Sequence, residues 1–258
     1  MKKFTIKSND CLEKDTLAFY HTEYYGFRDS RTPTYVNHLK NQFGNSPREL
    51  LQCSYNELCD ALLADFTQLK TQLPEDCVVC AVPRAKAEKE YTPNQLLFKK
   101  AVSCVARQIF IDGTHYIKRI LNTATTHMSR NSSYEYNKPN ERMPYKGITS
   151  DTCIICDDVR GKTILLVDDI YTKSVNIDED CIQALYDKGA ERVVFYAIGK
   201  TTHDMVSPNI PTPPKEQLSD DPNIRLKLDT FKSLTSKNFD PTSEADVEFY
   251  NILFPEIG

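Results

Sequence analysis

The chain has 258 residues, 40% of them hydrophobic and 26% charged, enough to bury one substantial core with an appended segment. A net charge of −4 argues against a general nucleic-acid-binding surface. No apolar run approaches the length that spans a bilayer, and the opening Met1-Lys-Lys-Phe-Thr-Ile-Lys lacks a signal-peptide core, so a cytoplasmic location is expected.

Residues 1–50 mix strand-like and aromatic pieces, among them Phe19-Tyr20-His21-Thr22-Glu23-Tyr24-Tyr25. Tyr commonly covers a core while its hydroxyl stays in water, so the cluster reads as part of an N-terminal layer over residues 1–75. A stacking hood above a base is the other reading. His21 and His38 have no partner identifiable from the sequence. Leu58, Leu62, Phe66 and Leu69 recur at helical spacing and predict a helix over 54–73, with Ser54 and Glu57 as a capping box.

Residues 76–83 read as a buried strand ending in Val82-Pro83, followed at once by Arg84, Lys86 and Lys89. A strand that delivers cations and free backbone N–H groups on a turn suits a pyrophosphate, although each cation alone could be a solvated surface charge. A helix is predicted over 98–111, with Ala101, Val102, Val105 and Ile109 inward and Gly113 ending it. Residues 116–149 show little apolar periodicity and carry Lys118, Arg119, Arg130, Lys138, Arg142 and Lys146. A loop of that length either serves a ligand or is a surface insertion.

Nine cysteines is an odd number for a disulfide framework. Cys77 with Cys80 and Cys153 with Cys156 form two CxxC pairs that could give four thiolates to zinc. Both pairs fall in predicted strands, where positions i and i+3 face opposite ways, which favours cysteines of the core. Residues 153–156 and 163–167 are expected as neighbouring strands across a turn at 157–162, with Asp157 and Asp158 as turn acids.

Residues 163–167 are an unbroken apolar and β-branched run, the pattern of a central strand in a parallel α/β sheet. The run stops at Asp168 and Asp169. A polar loop, 172–176, leads into a helix starting near Asp178 and ended by Gly189. Two carboxylates at a strand's carboxyl end can accept from a vicinal diol or hold a hydrated Mg²⁺. The loop and helix start offer N–H groups and a positive dipole end to an anion. A further strand spans 192–198, with Lys200 and His203 leaving its end. From 208 onward the chain is rich in Pro and charge, with a short helix at 246–253. The divisions expected are a layer over 1–75, a core over 76–203 and a C-terminal extension over 204–258. A response-regulator receiver also carries paired acids at a strand end, but it needs a later phospho-acceptor Asp and a Lys on further strands, and none follows Gly199.

Ile164 to Asn176 resembles the phosphoribosyl pyrophosphate motif of type I phosphoribosyltransferases: an apolar run, two acids, two apolar residues and a small polar loop. Val82-Pro83-Arg84, Tyr91-Thr-Pro-Asn94-Gln95 and the spacing of Arg119, Thr123 and Thr126 are similar to the ComF-like, competence-associated branch of that family. The resemblance covers about residues 76–200 and implies an α/β fold with a central parallel sheet flanked by helices. It implies that Asp168 and Asp169 face the ribose hydroxyls and hold Mg²⁺, in part through water. Thr172, Lys173, Ser174, Val175 and Asn176 would wrap the 5′-phosphate, and Arg84, Lys86 and Arg119 would meet the pyrophosphate. The chain departs from the family in that loop, with Lys173-Ser174-Val175-Asn176 where Thr-Gly-x-Thr is usual. Ser174 lacks the backbone freedom of Gly, while Lys173 adds a cation. The implied activity is Mg²⁺-dependent transfer of a phosphoribosyl group from phosphoribosyl pyrophosphate to an unidentified nucleophile. The alternative is a non-catalytic subunit that senses a nucleotide or binds a partner, as a homodimer or in a larger antiviral or stress-response assembly.

Overall fold

The apolar run at 163–167 becomes the middle of a six-stranded sheet. The structure is a computed structural model that describes residues 1–27, 29–40, 44, 46–125, 143–173 and 175–202. Its strands are β1 (Lys2–Ile6), β2 (Thr16–Tyr24), β3 (Val78–Ala81), β4 (Ile111–Asp112), β5 (Ile117–Arg119), β6 (Cys153–Ile155), β7 (Thr163–Tyr171) and β8 (Arg192–Thr201). Its helices are α1 (Thr34–Lys40), α2 (Arg48–Lys70), α3 (Leu97–Ile109), α4 (Ile148–Thr152) and α5 (Ile177–Asp187). The main sheet has the order β1-β2-β8-β7-β3-β4. From β2 to β4 every pairing is parallel, and β1 adds an antiparallel edge. Among the described residues no helix is long and apolar enough to cross a membrane.

Leu165 sits between Val79 and Val194 in this register, and all three are buried. Because side chains alternate along a strand, the sheet feeds two cores. One face packs Val79, Leu165, Val167 and Tyr196 against α2 and α3, and the other packs Val78, Ile164, Leu166 and Phe195 against α5 and the N-terminal segment. The first core is tightened by Phe66, whose ring lies 5.9 Å from Phe110 and 5.6 Å from Tyr196, centroid to centroid. The expected α/β class with a mostly parallel sheet flanked by helices is therefore what the chain adopts.

Cys77 belongs to one core and Cys80 to the other, which is the opposition their spacing implies. A metal held between them would need the strand to turn over. Elemental analysis of the purified chain should find zinc far below one per chain; one zinc per chain, lost in Cys77→Ser/Cys153→Ser, would overturn this.

Several local expectations are corrected. The long helix starts at Arg48, directly after Pro47, not at Ser54. Leu51 extends its apolar stripe two turns towards the N-terminus, and Ser54 is buried within the helix with its hydroxyl 3.0 Å from His38 Nδ1. His21 also has a partner: its Nδ1 is 2.9 Å from the buried carboxylate of Asp65, which accepts from the Tyr196 hydroxyl at 2.8 Å. Strand β6 does not neighbour β7. Both edges of β7 are taken by β3 and β8, so β6 pairs antiparallel with β5 in a separate two-stranded sheet. Within residues 1–75, β2 joins the sheet beside β8, and a compact unit runs Met1–Pro211. The basic stretch expected as a loop contains β5 and α4 at its two ends. Arg130, Lys138, Arg142, Ser174, His203, the helix at 246–253 and the C-terminal extension lie outside the described residues.

Candidate functional site

After β3 the chain passes through α3, on the first core, to β4 on one side of the sheet. After β7 it passes through α5, on the opposite core, to β8 on the other side. Between the carboxyl ends of β3 and β7 the winding reverses, which opens a crevice where ligands of open α/β sheets bind. A cleft of about 140 Å³ lies there, lined by the turn Val82–Pro83–Arg84–Ala85, Lys40, Arg119, Asp168 and Asp169. Four residues named from the sequence (Arg84, Arg119, Asp168 and Asp169) thus meet at one place.

The acids are half-buried, not solvent-facing as a free strand end would be. Burial, and then the adjacent charge of Asp169, push the Asp168 carboxyl up to about 7. Asp178, in the first turn of α5, is buried too, and burial followed by the Asp168 charge pushes its carboxyl well up. Among the described residues Asp178 Oδ1 is buried with no hydrogen-bond partner, so burial raises its carboxyl without compensation there. Lys40, the last residue of α1, brings Nζ within 3.5 Å of Asp169 Oδ2 and offsets part of the charge. Neither Asp178 nor Lys40 is singled out by the sequence: Asp178 reads as an ordinary helix-start acid, and Lys40 stands in no motif.

The cations at the cleft are held by the protein itself. Arg84 donates from Nη2 to the Lys40 carbonyl at 2.9 Å and from Nη1 to the Gln95 carbonyl, and its guanidinium lies 4.5 Å from the centre of the Tyr91 ring. Arg119 is only 5% exposed; its Nε donates to the Arg84 carbonyl at 2.6 Å and its Nη1 to the Thr152 hydroxyl. Lys86 is also buried and donates to the Thr123 carbonyl at 3.1 Å, in a smaller cavity behind the cleft. These side chains fix the turn after β3 to α1, α3 and the β5 region. Arg84 and Arg119 still present positive charge to the cleft, but Lys86 does so from behind.

The loop after β7 is arranged less as the resemblance implies. Among the described residues after β7, Ile177 lines the acid cleft and Lys173 lines a different cavity. The first turn of α5 already holds carboxylates where an incoming anion would gain from the dipole. Asp180 accepts from the backbone N–H groups of Gly147 and Thr149, the latter at 2.8 Å, and so caps α4. Compared with models of known protein families and with curated proteins, the chain matches none.

Asn176 explains one departure from the family pattern. It is the only non-Gly residue with positive φ among those described, at 56°, and its Oδ1 accepts from Asn9 Nδ2 at 3.3 Å. Asn tolerates this left-handed conformation, whereas a β-branched residue is strained in it. Asn176→Thr should therefore lose about 1–2 kcal/mol of stability, and Asn176→Gly should stay close to wild type. Equal melting temperatures for the two variants would contradict the assigned backbone.

Proposed function

We propose that the cleft between β3 and β7 binds phosphoribosyl pyrophosphate, or the 5′-phosphate end of a nucleotide, together with Mg²⁺, and transfers the phosphoribosyl group to a nucleophile. The observation that carries this reading is the meeting of the acid pair with the cationic turn at the point where the sheet's winding reverses. A ribose diol is neutral and donates two hydrogen bonds, which suits carboxylate acceptors at Asp168 and Asp169. A diphosphate needs positive charge beside it, and Arg84 and Arg119 supply that from the facing turn.

Mg²⁺ fits the donor set. Asp168 and Asp169 offer only oxygen ligands, which suits a hard cation. Among the described residues no three potential ligands converge, so an ion held here would keep most of its water, as Mg²⁺ commonly does. When bound, it would neutralise charge on a departing pyrophosphate.

A second reading, a nucleotide-binding subunit without transferase activity, is favoured by two observations. The basic side chains are committed to backbone carbonyls, and the acidic first turn of α5 opposes a phosphate at the loop. Titration with phosphoribosyl pyrophosphate and Mg²⁺, joined to a pyrophosphate-release assay over a panel of nucleobases and amines, separates the two. Saturable binding with release is expected. Binding without release from any acceptor would leave the second reading, and no binding would sink both.

A further inference from the structure

A second cavity of about 410 Å³ opens on the other side of the loop after β7. It shares no lining residue with the acid cleft. Lys7, Lys173 and Lys200 surround it, and Phe4, Tyr171 and Glu179 form part of its wall. Lys173 is exposed. Lys200 lies 5.6 Å from the centre of the Phe4 ring, and Lys7 pairs with Asp15 at 2.6 Å on the rim. Phe4, partly exposed, packs its ring 5.2 Å from that of the buried Tyr171, so its own ring is the aromatic surface beside the lysines.

Glu179 is the unexplained group. It is only 1% exposed, and its Oε1 accepts from the Tyr171 hydroxyl at 2.8 Å. Its Oε2 is buried with no hydrogen-bond partner. Leaving a carboxylate oxygen unpaired in the interior is costly, and a ligand donor would remove that cost.

We propose that this cavity binds a nucleoside monophosphate whose base carries an exocyclic amine. The lysines supply point charges for the phosphate. The Phe4 ring supplies a face for the base. Glu179 Oε2 accepts from the amine. The volume lies in the range of small-molecule sites, roughly 300–1,000 Å³. The proposal is independent of the acid cleft and its chemistry.

Calorimetry of the full chain with AMP, UMP, ribose 5-phosphate and inorganic phosphate tests it. AMP is expected to bind with a Kd below about 1 mM and more tightly than the other three. Lys200→Ala and Lys173→Glu should each weaken AMP by about tenfold or more, the loss of one charge-assisted contact. Glu179→Gln should erase the preference for AMP over UMP, and Asp168→Asn/Asp169→Asn separates this cavity from the acid cleft. If Lys200→Ala folds poorly, Lys173→Glu at an exposed position carries the test. The proposal is overturned by no saturable AMP binding, by inorganic phosphate or ribose 5-phosphate binding as tightly as AMP, or by an unchanged base preference in Glu179→Gln. Loss of AMP binding in the Asp168/Asp169 variant with retention in both lysine variants would move the ligand to the acid cleft and overturn it as well.

Discussion

Asp168→Asn/Asp169→Asn should melt a few degrees above the wild-type chain at pH 8 and bind phosphoribosyl pyrophosphate with Mg²⁺ at least about a hundredfold more weakly. The affinity loss follows from the two diol hydrogen bonds: a bond to a charged acceptor contributes about 1.5–3 kcal/mol, and about 1.4 kcal/mol is tenfold in affinity. The stability gain follows from Asp168. Its carboxyl is raised in the folded protein to about 7 by burial and by the Asp169 charge. Between the ordinary carboxylate value and that raised one, the folded state binds more protons than the unfolded chain, so stability falls as pH rises through the window. Above it the loss is complete. Burial raises Asp178, Glu179 and Asp180 in the same direction. Asn at position 168 removes one share of this loss, so its advantage at pH 8 should shrink towards zero near pH 4. Melting curves across that range, with calorimetry at pH 8, measure both effects. Undiminished binding in the double variant would remove the acid pair from the site, and a variant less stable at pH 8 than at pH 4 relative to wild type would contradict the electrostatics.

Arg119→Ala should be the most destabilising change at the cleft, by about 3–5 kcal/mol, since each hydrogen bond from a charged donor contributes about 1.5–3 kcal/mol. That corresponds to a fall on the order of 10 °C in melting temperature for a domain of this size. The guanidinium is buried and ties the Arg84 carbonyl to the Thr152 hydroxyl, so its loss removes both bonds and frees the turn after β3. Arg119→Lys keeps the charge but not the forked geometry and should fall between. Were Arg119 a free contact for pyrophosphate alone, Arg119→Ala would melt like wild type and lose only affinity; thermal melts of the three proteins separate the roles.

The strand at 163–167 and the acids that follow were legible because one local pattern, an unbroken apolar run broken by two charges, has few ways to fold. The same holds for the stripe of α2 and for Cys77 and Cys80, whose spacing alone puts them on opposite faces. Where the pattern is short the sequence misleads. Residues 153–155 look like a partner for β7, yet both edges of β7 are taken by β3 and β8, and those residues pair with β5. Ser54 and Glu57 match a helix start, but Pro47 begins the helix earlier and burial takes Ser54 into the contact with His38.

What the sequence by itself determined is the α/β class, the central strand and the positions of the acids, because these depend on periodicity and on charges adjacent in the chain. Only the tertiary structure decided what surrounds them. Lys40 reaches the acids from a helix far away in sequence and Asp178 from the helix that follows them, Arg119 and Lys86 are drawn inward to satisfy backbone carbonyls, and Lys173 turns to a separate cavity. Each depends on distance and burial across the fold, quantities that no local pattern of residues encodes.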